Sequence, residues 1–128
     1  MKGFVFTTDE RMYVKDFDAP LYKTLGAEVG GFIEIVHPKG LPEPLCFVCN
    51  EEGLLHGLPW NAFASVLYET YIHFQPIAGN IVIMREGFVD GEPDLVSLTE
   101  EDIVQIRALA DAISHGEIVE VEAGEADA

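Results

Sequence analysis

An α+β fold, with a mixed, mainly antiparallel sheet of about five strands and helices packed on one face, is predicted by three features of the chain. Short apolar runs rich in Val, Ile and Phe recur between turns containing Gly, Pro and Asp, which is how strands read in sequence. One long segment, Thr99 to Gly116, repeats apolar residues at helical spacing. Apolar residues make up 48% of the 128, enough for a single core without metals or disulfides, while the length leaves no room for two cores.

Gly3 to Thr8 reads as a first strand and Met12 to Phe17 as its partner, joined by the turn Thr8-Asp9-Glu10-Arg11. Asp18 is placed to cap a short helix with Pro20 in its first turn, where a missing N–H costs little. That helix would bury Leu21, Leu25 and Val29 and end at Gly30-Gly31. Phe32 to His37 is β-branched and reads as a strand; Pro38 to Pro44 is a loop. Leu45 to Asn50 is continuously apolar, as expected of a central strand buried on both faces. Asn50-Glu51-Glu52-Gly53 is a tight turn with Gly53 suited to positive φ.

Leu54 to Asn61 is irregular. Ala62 to Tyr71 has helical spacing through Phe63, Val66, Leu67 and Tyr71. Ile77 to Met84 reads as a strand with a bulge at Gly79, and Glu86 to Pro93 as a polar turn region. Thr99 caps the last helix, with Asp102 at the capping-box position and Ile103, Ile106, Ala110 and Ile113 on one stripe. Ser114-His115-Gly116 ends it, His115 complementing the helix dipole. Ile118 to Val121 reads as an edge strand. The expected organisation is one domain over residues 1–122 and an acidic, disordered tail over 123–128.

Charge is the strongest compositional anomaly. Seven Lys and Arg face 23 Asp and Glu, a formal charge of −16. Direct binding to a nucleic-acid backbone is not expected, because phosphate contacts need clustered cations. Half of the excess lies in residues 99–128, where nine acids face Arg107 alone. A solvated acidic face explains this; an acidic mimic of DNA is the rival explanation. No apolar run approaches the roughly eighteen residues of a membrane span, and Asp9 and Glu10 cut short the apolar start, so no secretory signal is visible. The expectation is a soluble, cytoplasmic protein with no membrane partner.

Cys46-Phe47-Val48-Cys49 has the spacing of a redox or zinc pair, but no second pair completes a four-ligand site. Positions three apart on a strand point to opposite faces, so these thiols read as core fillers. No metal and no cofactor is expected. The densest polar stretch is Asn50 to Asn61, with Glu51, Glu52, His56 and the only tryptophan, Trp60. An ordered loop accounts for it. As a recognition loop, its ligand-binding candidates are Asn50, Glu51, His56, Trp60 and Asn61, with Trp60 the anchor and Asn61 an orienting amide. No nucleophile elbow, phosphate-binding glycine loop or His-Glu-x-x-His motif is present.

Gly30-Gly31-Phe32-Ile33-Glu34, Asn50-Glu51-Glu52-Gly53, Gly57-Leu58-Pro59 with Asn61, Ile77-Ala78-Gly79 and Leu98-Thr99-Glu100-Glu101 occur in that order. Together they resemble the domain of unknown function 3846 family, small proteins of bacteria, phages and conjugative elements. The resemblance runs from about Val5 to Ile106. Two departures are Ala62, where a longer polar or basic residue is expected, and the unusually aromatic stretch 63–75. The resemblance implies a mobile-element accessory setting and transfers no catalytic residue.

Three function classes fit these readings. The first is a non-enzymatic binding protein, such as a phage or mobile-element counter-defence factor, that takes a host protein or small ligand on the loop 50–61 and the aromatic segment 63–74. The second is the acidic DNA mimic. The third is a small enzyme using Glu34, His37, Glu51 or His56, which requires those side chains to converge in one cleft.

Overall fold

The computed structural model describes residues 1–126. Its elements run β1 (Lys2–Phe6), β2 (Arg11–Asp16), α1 (Leu21–Val29), β3 (Ile33–Val36), β4 (Leu45–Asn50), α2 (Ala62–Leu67), α3 (Thr70–His73), β5 (Ile81–Val89), β6 (Glu92–Val96), α4 (Glu100–Ser114), β7 (Val119–Glu120) and α5 (Ala123–Ala126). The sheet order is β3-β4-β5-β1-β2-β7, with β6 also paired to β5. Every pairing is antiparallel except the parallel contact of β2 with β7. The class is the α+β class read from sequence, and the described residues form seven strands where about five were expected. No described helix is long and apolar enough to cross a membrane.

Alternation along the strands builds a core on each face of the sheet. Phe4, Phe6, Phe47, Ile81 and Ile83 point to the first face and meet Phe63, Ala64 and Leu67 of α2 and Ile103, Ile106 and Ala110 of α4. Val5, Cys46, Val48, Val82 and Met84 point to the second face and meet Leu25 and Val29 of α1. The expectation of helices on one face is therefore corrected: α1 covers one side and α4 the other. The reason is visible in β4, whose six residues are all buried, because the strand is apolar from Leu45 to Cys49 and such a run needs cover on both sides. Burying each large side chain in these cores contributes about 1.5–3 kcal/mol.

Several local expectations are corrected. Pro20, not Asp18, occupies the N-cap of α1, and Asp18 offers only its backbone carbonyl, which accepts from the Thr24 hydroxyl at 2.8 Å. Gly53 does not adopt positive φ. A glycine is required there because a Cβ would stand 2.7 Å from the Ala78 carbonyl oxygen. The helix expected over 62–71 breaks at Glu69, which takes a left-handed conformation between α2 and α3; the side chain of Tyr71 lies outside the described residues.

Gly79 lies before β5 rather than inside it, next to the isolated pairing of Trp60 with Ala78. The expected polar turn 86–93 is instead the outer half of a hairpin. β5 continues to Val89, the chain reverses at Asp90-Gly91 with φ of 52° and 80°, and β6 returns. Both residues of that turn have positive φ, which Asp-Gly supplies readily. Residues 123–126 form a helical turn, and Ala123 packs against the second core, where an unstructured tail was expected. Residues 127 and 128 of that tail lie outside the described residues.

Candidate functional site

β3 is the edge strand at one end of the sheet. Its register pairs Ile33 with Asn50, Glu34 with Cys49, Ile35 with Val48 and Val36 with Phe47. The Glu51 N–H donates to the Phe32 carbonyl at 2.8 Å. Hydrogen-bonded pairs alternate along an antiparallel ladder, so Glu34 and Val36 turn their backbone groups toward β4. The N–H and C=O groups of Ile33 and Ile35 then face away from the sheet. Among the described residues, no strand pairs with that outer edge.

A cleft opens on each face beside this edge. The first, about 260 Å³, has Glu34, Val36 and Cys49 as its floor, the turn Asn50–Leu55 on one side and Tyr68 with Gln75–Ala78 on the other. The second, about 590 Å³, lies on the α1 side between Tyr22, Gly31–Ile33 and the turn residues Asn50–Glu52 with His56. The turn 50–53 is the wall common to both. Apolar side chains stand exposed around it: Phe32 at 78%, Leu55 at 83%, Tyr22 at 72% and Ile35 at 41% of their full areas. Glu34, Glu51 and Glu52 supply carboxylates, and among the described residues no lysine or arginine lines either cleft.

Asn50 is buried and shapes this wall. Its Nδ2 donates to the Val29 carbonyl at 3.3 Å, tying the end of α1 to β4, and its Oδ1 accepts from the Glu52 N–H at 2.8 Å. Glu51 and Glu52 are exposed beside it, and His56 Nε2 lies 3.2 Å from Glu52 Oε2. Asn61 is 1% exposed and away from both clefts. Its Oδ1 accepts from the Ala64 N–H at 3.1 Å as the cap of α2, and its Nδ2 donates to the carbonyls of Phe6 and Gly79, each at 3.0 Å. Trp60 is 68% exposed but lines neither cleft; its backbone bridges to Ala78 on the rim of the first. Thus Asn50, Glu51 and His56 come together, while Asn61 and Trp60 stand apart from them.

The residues of the enzyme reading do not all converge: Glu34 and Glu51 share the first cleft and Glu51 and His56 the second, but among the described residues no cleft holds both histidines. His37 pairs with Glu86 beside Lys39 and Glu43 in a cleft at the other end of β3, whereas His56 lies in the second cleft. Among the described residues, no group of three or more His, Cys, Asp or Glu side chains is placed to hold a metal ion. Cys46 and Cys49 face opposite sides of the sheet, and burial pushes both thiols up to about 12. At neutral pH they are protonated and poorly nucleophilic.

The aromatic edge residues Tyr22 and Phe32, and the free backbone groups of β3, were not among the candidates read from sequence. Phe32 opens the β-branched run read as a strand; it lies just ahead of β3, the end strand of the sheet, and stands 78% exposed.

Comparison with known proteins adds the following. A family model described as domain of unknown function (DUF3846) matches residues 1–111. A search among curated proteins gives no match. A solved structure, that of the small RNA methyltransferase HEN1, superposes with a TM-score of 0.53 at 12% identity, over 84% of this chain and 16% of that one. The chain thus spans a small part of that protein's length, and at such identity the likeness speaks to the fold alone.

Proposed function

The chain belongs to the domain of unknown function 3846 family, and from that premise, which brings no reaction with it, we propose that the protein is a non-enzymatic binding protein that takes up an extended segment of a partner protein by strand addition at β3. The observation that carries this reading is the open edge of β3 set between two clefts, one on each face of the sheet. Strand addition needs backbone groups that face outward and hollows for alternate side chains of the incoming segment. Ile33 and Ile35 offer the first, and the clefts beside Glu34 and beside Phe32 offer the second. The setting we propose is the cytoplasm, with a host protein as partner and the chain as a phage or mobile-element accessory factor, following the distribution of the family.

The acidic face supports the DNA-mimic reading less well. A mimic of phosphates needs free carboxylates in a regular array, yet three of the nine acids in residues 99–128 are neutralised by cations: Glu100 by Lys2, Asp102 by Arg85 and Glu120 by Arg107.

The test is a selection of binders from a random peptide library, followed by amide exchange on the isotopically labelled protein. Strand addition protects the Ile33 and Ile35 N–H groups when a selected peptide is bound. It also makes the affinity depend on Ile35: Ile35→Ser, with its melting temperature unchanged, weakens binding by about tenfold. Selected peptides that leave both amides as exchangeable as in the free protein overturn the reading.

A further inference from the structure

Resting on the reading of β3 as a strand-addition edge, we infer that the segment it accepts is basic, carrying Lys or Arg on the face of Glu34 and apolar side chains on the face of Ile35. Side chains of an added strand alternate between the two faces of the sheet, so they meet two different surfaces. On the first face they meet Glu34 within the strand and Glu51 and Glu52 on the cleft wall, with no cation among the residues lining that cleft. On the second face they meet the exposed rings of Phe32 and Tyr22 and the side chain of Ile35, which lies opposite Val48, while Glu51, Glu52 and His56 stand only at the end of the cleft, on the wall it shares with the first. An uncharged segment would leave three carboxylates crowded against newly buried backbone, whereas cationic side chains neutralise them as the strand docks.

The same charges select against the other obvious occupant, a second copy of this chain. Pairing β3 with β3 would bring two sets of these carboxylates to one junction between chains that each carry −16. A mid-strand acid on a short edge strand is a known guard against such self-pairing. Here the guard is itself the recognition feature, because it repels copies of this chain and attracts a basic strand. The long-range field of the molecule has the same sign and raises the rate of encounter with a cationic partner.

The probe is an end-capped peptide of about nine residues alternating Lys and Val, titrated into the labelled protein and followed by amide shifts and exchange. Three companions serve as controls: the peptide with Gln for Lys, the peptide with Glu for Lys, and the Lys peptide N-methylated at alternate residues. The expected result is saturable binding of the Lys peptide with Ile33 and Ile35 protected. Binding should weaken by about tenfold or more in Glu34→Lys, and should weaken again when salt rises from about 50 mM to about 300 mM. The Glu peptide and the N-methylated peptide should not bind. If the Gln peptide protects Ile33 and Ile35 as well as the Lys peptide does, and Glu34→Lys changes nothing, the basic partner is overturned while strand addition stands. If the N-methylated Lys peptide binds as well as its parent, the attraction is one of charge without a ladder, and both readings fall. If the Lys peptide shifts no β3 amide, the basic partner is overturned, and the library selection decides strand addition independently.

Discussion

Asn61 commits both polar atoms of its side chain to the backbone: Oδ1 takes the Ala64 N–H, and Nδ2 donates to Phe6 of β1 and to Gly79 ahead of β5. One buried amide therefore joins α2, β1 and the entry to β5. Replacing it by Ala removes a cap worth about 1 kcal/mol and deprives two carbonyls of a buried donor at a further cost of about 1–3 kcal/mol. Urea unfolding of Asn61→Ala should show a total loss of about 3 kcal/mol, with Asn61→Ser recovering only the cap, about 1 kcal/mol. The neighbouring Trp60 is 68% exposed, so Trp60→Ala should change stability by less than about 1 kcal/mol. Equal losses at the two positions would contradict this division of roles.

At the scale of elements, α4 shows how a cap and an ion pair reinforce one another. Thr99 Oγ1 accepts from the Asp102 N–H at 3.0 Å, Asp102 Oδ2 accepts from the Thr99 N–H at 2.9 Å, and Arg85 of β5 donates to both carboxylate oxygens at 2.8 and 3.0 Å. Burial by itself pushes the Asp102 carboxyl up, but the Thr99 N–H, the Arg85 guanidinium and the Thr99 hydroxyl together hold it below its ordinary value. A carboxyl lowered by folding contributes stability that is complete above its unfolded value, near 3.8, and is lost as pH falls through the folded one. Asp102→Asn should cost about 2 kcal/mol at neutral pH, and unfolding free energies measured below about pH 4 should fall less steeply with acid than in the parent. An unchanged acid slope would show that Asp102 does not anchor this helix. The β5–β6 hairpin is the other lesson at this scale. Phe88 and Val89 stand exposed, so no alternating buried face announces a strand there, and only Asp90-Gly91 marks the reversal.

The whole molecule carries 23 acids against seven Lys and Arg. Among the described residues, five ion pairs link these bases to carboxylates, and most of the acids have no cation beside them. Exposed pairs contribute little, so self-repulsion is the larger electrostatic effect on the compact state. Raising salt from about 20 mM to about 300 mM should therefore raise the melting temperature, by about 4 °C for each kcal/mol of repulsion screened. A melting temperature that falls with salt would show that the ion pairs outweigh the repulsion.

What the residues determined locally was the identity of most elements. Leu45 to Cys49 is apolar at every position and reads as a strand with cover on both sides; Thr99, Asp102 and the stripe from Ile103 to Ala110 read as a capped amphipathic helix. Both signals are local, because they rest on the strand and helix periods and on bonds between near neighbours in the chain. The separation of Cys46 from Cys49 likewise followed from their spacing alone. The edge position of β3 was not legible. Phe32 to His37 reads as a strand, but whether its outer side meets another strand depends on partners distant in the chain. The side chosen by α1 was hidden likewise, since the handedness and length of its connection to β3 decide it, not its apolar stripe. The two clefts exist only because Asn50 draws the end of α1 to β4 while the Gln75–Ala78 segment passes on the other face. Sequence alone therefore determined most of the elements and the capping box of α4, whose forces act over a few residues. The tertiary structure decided the open edge and its acidic clefts, because these arise where segments far apart in the chain are packed, or left unpacked, against one another.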